Sequence, residues 1–166
     1  MAIAADRNSD LFIDGKLVAG SAGRYPTINP ATEEVLGTAA DADAGDMSRA
    51  IDAARRAFDT TDWSTNTELR IRCIRQLREA MRSNIEELRD ITIAEVGAPR
   101  MLTSMAQLEG PVDDLSFAAD TAENYAWRQD LGVASPMGIK TQRTIAREAV
   151  GVVAAITPWN FPHQIN

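Results

Sequence analysis

The segment Val150–Ile156 constrains the fold most: it carries no charge and is rich in valine, alanine and isoleucine. Such a run is the pattern of a strand covered on both faces, as in a parallel sheet. It predicts a buried strand that needs partners on either side. It feeds directly into Thr157-Pro158-Trp159-Asn160-Phe161-Pro162, and the sequence closes at Asn166. A chain of 166 residues is long enough for one domain with a real core. Its most apolar element nevertheless comes last, so whether it is whole or a piece is the first question the pattern raises.

The remainder divides by period. Leu11-Phe12-Ile13 and Lys16-Leu17-Val18 flank Asp14-Gly15, the strongest short-range hairpin signal. Tyr25 to Ile28 predicts a strand, Asn29-Pro30-Ala31-Thr32 a turn, and Val35 to Ala39 a returning strand. From Asp43 the apolar spacing becomes helical: Met47, Ala50, Ile51, Ala54, Ala57 and Phe58 share one face, with Asp43 as N-cap and Asp46 in the first turn. Thr65 with Glu68, and Asn84 with Glu87, have capping-box spacing and predict two further helices, the second closed by Gly97 and Pro99. Met101 to Leu108 continues helically up to Gly110-Pro111, where a break is expected before the helix of Val112, Leu115, Ala119, Ala122 and Tyr125. Thr141 to Ala149 alternates imperfectly and carries charges, as an exposed strand or arm does. The expected class is α/β: N-terminal hairpins and a helical block, an extended arm, and the first strand of a parallel sheet.

Composition removes several functions. The formal charge of −7, without a basic stretch, argues against nucleic acid or an anionic membrane as partner. The lone Cys73 excludes an internal disulfide and a cysteine metal cluster, and the lone His163 excludes a multi-histidine site. With no apolar leader pattern in Met1–Asp10 and no run of membrane-span length, a soluble cytoplasmic protein is expected. Cys73 lies between Arg72 and Arg75, which favour a thiolate only if they face it, but it also shares the inward face of Ile74 and Leu77 as a small hydrophobe. Asp113-Asp114 and Glu86-Glu87 diverge on a helix and predict solvated faces. No glycine-rich phosphate cradle occurs. Spacing alone supplies no complete active site.

Asn160 is the exception. It sits where the chain leaves the carboxyl end of the expected strand, the place where α/β sheets bind ligands. Pro158 and Pro162 stiffen the loop, and a rigid amide donates to a developing oxyanion without reorganising. A plain turn asparagine between prolines is the competing reading.

The motif Gly151-Val152-Val153-Ala154-Ala155-Ile156-Thr157-Pro158-Trp159-Asn160-Phe161-Pro162 resembles the strand and loop of the NAD(P)-dependent aldehyde dehydrogenase superfamily. Leu11 to Lys16, Ile28 to Gly37, the alanine-rich Ala50 to Phe58, and Glu95-Val96-Gly97-Ala98-Pro99 resemble further family motifs in the same order. The resemblance implies that Asn160 is the oxyanion amide, that Ile156, Thr157, Pro158 and Trp159 line NAD or NADP, and that Phe161 lines the substrate tunnel. It also implies a monovalent-cation site at Thr27, Ile28 and Glu95, where the family usually has Asp in place of Glu95. The arm would pair subunits of a homo-dimer or tetramer. The matched part is roughly the first third of the usual chain; the family's nucleophilic cysteine and general-base glutamate match nothing here, Cys73 included.

The resulting expectation is a fragment of an aldehyde-oxidising enzyme, inactive by itself. It divides into a cofactor-domain portion at 1–130, an oligomerisation arm at 131–149, and strand plus asparagine loop at 150–166. Trp159 resembles the hydrolytic branch; the CoA-acylating semialdehyde branch is an alternative, as is a non-catalytic module that docks on a full-length subunit.

Overall fold

A computed structural model describes residues 7–165. The polar start up to residue 6 and the final Asn166 lie outside the described residues. The chain opens with β1 (Arg7–Ser9), β2 (Leu11–Ile13), β3 (Lys16–Val18), β4 (Gly23–Ile28) and β5 (Val35–Asp41). β2 and β3 form the expected antiparallel hairpin, pairing Leu11 with Val18 and Ile13 with Lys16. Asp14 at φ 54° and Gly15 at φ 75° make the left-handed pair that a type I′ turn requires. β4 and β5 pair antiparallel as expected, joined by a turn in which the Asn29 side chain accepts from Ala31 and Thr32 N–H. β1 adds in parallel to β5, giving the order β1-β5-β4.

Next comes α1 (Ala44–Thr60). Its start is a reciprocal capping box: Asp43 accepts from Asp46 N–H at 2.9 Å and Asp46 from Asp43 N–H at 3.0 Å. Asp46 is buried and also accepts from the backbone and hydroxyl of Ser21, which ties the helix to the preceding turn. These backbone hydrogen bonds hold its carboxyl at about 2, well below the usual range. The hairpin lies beside Ala50, Ala53 and Ala57 of α1. Met47 and Ile51, expected inward, are exposed because no element of the described chain covers that stripe.

α2 (Thr67–Ser83) is capped one residue later than expected. Asn66, not Thr65, accepts from Leu69 N–H, because Thr65 has helical backbone angles and closes the 3₁₀ turn Asp62–Ser64 instead. α3 (Ile85–Val96) follows directly. The expected capping box at Asn84 does not form, since its side-chain N–H donates to Ala80 O and closes α2. Gly97 ends α3 at φ 72° with its N–H on Ile93 O, as the sequence predicts.

After α4 (Arg100–Thr103), α5 (Glu109–Asn124) runs through the expected break. Pro111 falls in the first turn, where its missing N–H has no helical partner to lose, so the helix opens there. The core lies at this corner of α3, α4 and α5: Ala94, Ala98, Leu108, Val112 and Ala119 are buried, with Ile71 contributed by α2.

β6 (Arg128–Ala134) and β7 (Thr141–Ala146) form an antiparallel hairpin with β7 exposed along its length. The expected buried strand at 150–156 is corrected. The segment forms no strand and pairs with no described strand, and Val153 and Ile156 are 72% and 98% exposed. Its apolar pattern specifies a covered strand; no described element supplies the cover. Last is α6 (Pro162–Ile165), which packs against α5.

Candidate active-site loop

The loop around Asn160 is built between an exposed strip and a buried anchor. Ile156 and Trp159 project from the strip, Trp159 being 77% exposed. Thr157 is half-buried, Pro158 and Asn160 are exposed, and Phe161 turns half inward. Pro162 suits the first position of α6, whose turn is closed by Gln164 and Ile165 N–H on Phe161 O. Of the residues expected to line a cofactor, Ile156, Pro158 and Trp159 are thus accessible and Thr157 is partly covered, with Asn160 exposed at the end of the segment.

Two side chains from the helical block hold this loop. Gln107 Nε2–H donates to the backbone carbonyl of Asn160 at 2.9 Å. His163 Nε2 lies 3.0 Å from Thr92 Oγ1, and the Thr92 hydroxyl donates to Leu88 O at 2.7 Å. With the hydroxyl proton committed to Leu88, His163 Nε2 is the donor, which fixes its tautomer. Burial pushes the His163 pKa below 6.5, so the ring is neutral at pH 7. His163 thereby ties α6 to Thr92 of α3. Gln107 gives no sequence signal: it is one polar residue inside the stretch predicted as helical, and its contact lies far along the chain.

Other candidates separate from this loop. Cys73 is half-buried on α2, while Arg75 turns to Asp120 and Glu123 on α5. Asp113 and Glu86 lie on solvated faces as expected, 55% and 64% exposed, and there pair with arginines: Asp113 with Arg82 and Arg78 of α2, Glu86 with Arg89 of its own helix and Arg100 of α4. Broad grooves run along α2 and α5 beside Ile71 and Trp127, and beside Trp63, Arg147 and Val150, but neither includes Asn160.

Thr27 lies in β4 at its register shift, Ile28 is exposed beside it, and Glu95 is exposed in the last turn of α3. Pro30 packs on Gly97, bringing the two regions together. No cluster of three His, Cys, Asp or Glu residues that could hold a metal occurs among the described residues. Carbonyl and carboxylate oxygens are the right donor type for a hard cation.

The chain is thus of the α/β class, with a proline-flanked asparagine whose main-chain carbonyl is held by the helical block. The profile of the aldehyde dehydrogenase family matches residues 17–166. The chain is 34% identical to the peroxisomal aminoaldehyde dehydrogenase 1 of Pisum sativum, over 92% of this chain and 31% of the relative. It is 32% identical to a D-glyceraldehyde dehydrogenase (NADP(+)) of Thermoplasma acidophilum, over 93% of this chain and 30% of the relative. The fold superposes on Mycobacterium tuberculosis aldehyde dehydrogenase complexed with NAD+ with a TM-score of 0.88 at 27% identity, covering 98% of this chain and 33% of that one. The chain belongs to the aldehyde dehydrogenase family. It spans about 31% of the length of the first curated relative.

Proposed function

We propose that this chain is the part of an NAD(P)-dependent enzyme, oxidising an aldehyde to a carboxylic acid, that supplies the oxyanion donor and one wall of the cofactor site. The observation that carries the proposal is the arrangement of Asn160: its side chain is exposed while its backbone is anchored by Gln107. A donor held this way stabilises charge developing on an aldehyde oxygen after thiolate addition, with no reorganisation cost at the moment of reaction. A bound nicotinamide would supply the hydride acceptor. Ile156 to Trp159 offer backbone groups and an apolar surface for it, and the exposure of Ile156 and Trp159 fits that role. Phe161, turned half inward beside Asn160, is placed to line the aldehyde's approach. NADP in place of NAD fits the same strip. The carbonyls of Thr27 and Ile28 with Glu95 fit a structural monovalent cation by donor type, and no chemical step depends on it.

The thiolate and the water-activating base come from the rest of the complete enzyme, so the 166-residue chain alone is expected to be inactive; aldehyde-dependent NADH production by the pure chain would overturn this. In the complete enzyme, Asn160→Ala should lower kcat by about 10²–10³, the scale of one oxyanion donor. An unchanged kcat refutes the role of Asn160. Trp159 favours hydrolysis over acyl transfer to CoA, and free acid as the product checks it.

A second reading is favoured by the exposed apolar residues Val133 and Ile139 on and beside the β6–β7 hairpin. On this reading the chain docks onto a full-length subunit of the same enzyme. Absence of association at micromolar concentration in a pull-down ends that reading.

A further inference from the structure

We propose that Gln107 is a positioning residue for Asn160, setting the direction of its side-chain amide through the main chain. The inference rests on the oxyanion reading of Asn160 and adds the residue on which that donor's aim depends.

Among the described residues nothing hydrogen-bonds the Asn160 side-chain amide. The backbone therefore sets the position from which that amide reaches and the rotamers open to it. That backbone is held at two points by the helical block: the Asn160 carbonyl by Gln107 at 2.9 Å, and the His163 ring by Thr92 at 3.0 Å. Fixing the carbonyl fixes ψ of Asn160, while Pro162 restricts the intervening Phe161. Of these two contacts, the one from Gln107 acts on the asparagine itself.

The anchor has a rigid origin. Gln107 lies in the turn between α4 and α5, where its own N–H donates to Leu102 O at 3.0 Å. Leu108 beside it is fully buried, as is Thr103 just before, which accepts from the buried Arg89 at 2.8 Å. A side chain leaving so fixed a main chain transmits little slack. Correct placement of a reacting group to within a fraction of an ångström is what such support provides.

The second observation concerns the other end of the same amide. Gln107 is buried, and its Oε1 meets no hydrogen-bond donor among the described residues. A buried acceptor without a donor is a standing cost that an apolar side chain of the same size would avoid. Set against its one hydrogen bond to Asn160, that open acceptor leaves glutamine little net stability over methionine. The retained N–H on the Asn160 carbonyl is what glutamine adds.

The test is a double-mutant cycle in the complete enzyme, reading kcat at saturating aldehyde and nucleotide, KM for nucleotide, and Tm. Gln107→Met should lower kcat about 10-fold or more, within the ~10²-fold that a 1 Å misplacement costs. KM for nucleotide should hold steady, and Tm should stay level or rise. In the Asn160→Ala background, Gln107→Met should cost nothing further, because the group it aims is gone. Gln107→Glu keeps the volume but sets an acceptor against the carbonyl, and serves the same cycle if the methionine variant fails to fold. An unchanged kcat in both Gln107 variants overturns the proposal. So does an equal loss with and without Asn160, which marks a merely structural residue. An Asn160→Ala enzyme with full kcat sinks the oxyanion reading and this inference together. A slow Asn160→Ala enzyme beside a fast Gln107→Met enzyme sinks the inference alone.

Discussion

Arg89 offers the clearest energetic test of the corner that supports the Asn160 loop. Its side chain is 5% exposed and makes four kinds of contact. It donates to Glu109, to Glu86 at 3.1 Å, to Thr103 Oγ1 at 2.8 Å and to Ser104 Oγ at 3.1 Å. Its pKa is raised, first by the hydrogen bond to Glu109, so it stays charged throughout. Breaking a buried pair by removing one partner costs about 3–5 kcal/mol when the other charge is stranded. Here Glu109 and Glu86 are 42% and 64% exposed and can rehydrate. The buried Thr103 hydroxyl keeps its donor bond to Arg100 O at 2.6 Å and loses only a donor to itself. The lower end applies, so Arg89→Ala should destabilise by about 3 kcal/mol.

Arg89→Met separates packing from charge. Its unbranched side chain replaces the buried stem, and the remaining loss should be roughly 1–2 kcal/mol of hydrogen bonding. Urea unfolding of the chain, followed by circular dichroism, reads both as a lower midpoint with an unchanged slope. High salt should preserve most of the difference, because a buried pair is weakly screened. The exposed Arg75 pairs with Asp120 and Glu123 should respond in the opposite way, losing their effect as salt rises. An Arg89→Ala chain within about 0.5 kcal/mol of the parent, the scatter of surface substitutions, would refute the reasoning.

Asp46, held at about 2, contributes stability that is fully present above its ordinary 3.8 and lost as the pH falls through about 2. Asp46→Asn should flatten that acid limb, and identical acid midpoints for both chains would count against it. Gly97→Ala must place a Cβ at φ 72° and 2.9 Å from Pro30 Cγ, so it should cost at least ~1 kcal/mol, with Pro30→Ala recovering the steric part in a double mutant. His163 is the only histidine, so its ring proton can be followed directly by NMR. Because burial lowers its pKa, the unfolded chain binds the proton more readily, and stability should fall as pH drops below 6.5. A titration midpoint at or above 6.5 contradicts the buried, neutral ring.

What the sequence makes legible is what short stretches decide by themselves. Asp14-Gly15 adopts its turn because two adjacent residues tolerate positive φ, and Asp43 caps α1 because its partner Asp46 is one turn away. Thr65 and Asn84 mislead for the same local reason: each stands where two elements meet, and the cap is claimed by the element before it. β1 escapes notice because Arg7–Ser9 joins β5 through its main chain, without an apolar pattern to announce it. Val150–Ile156, Met47 and Ile51 form a different group. Their pattern specifies cover, and cover is a property of neighbours. The described chain leaves all three regions open, which agrees with its spanning about 31% of a curated relative.

The same division runs through the active-site loop. Asn160 is readable because two prolines and a family motif surround it in sequence. Gln107 is not, because nothing near position 107 records a contact made 53 residues later. The asparagine is thus legible locally, while the anchor of its carbonyl comes from the α3–α4–α5 corner. A substitution scan confined to the motif would find the amide and miss its support. Variants at Arg89 and Gln107 test whether that corner transmits its rigidity. Loosening Arg89 should raise hydrogen exchange first in the turn at 103–108, and then at Gln164 and Ile165, whose N–H groups close α6 on Phe161 O. Exchange that rises at α6 while the turn stays protected would show that the loop is held by His163 alone.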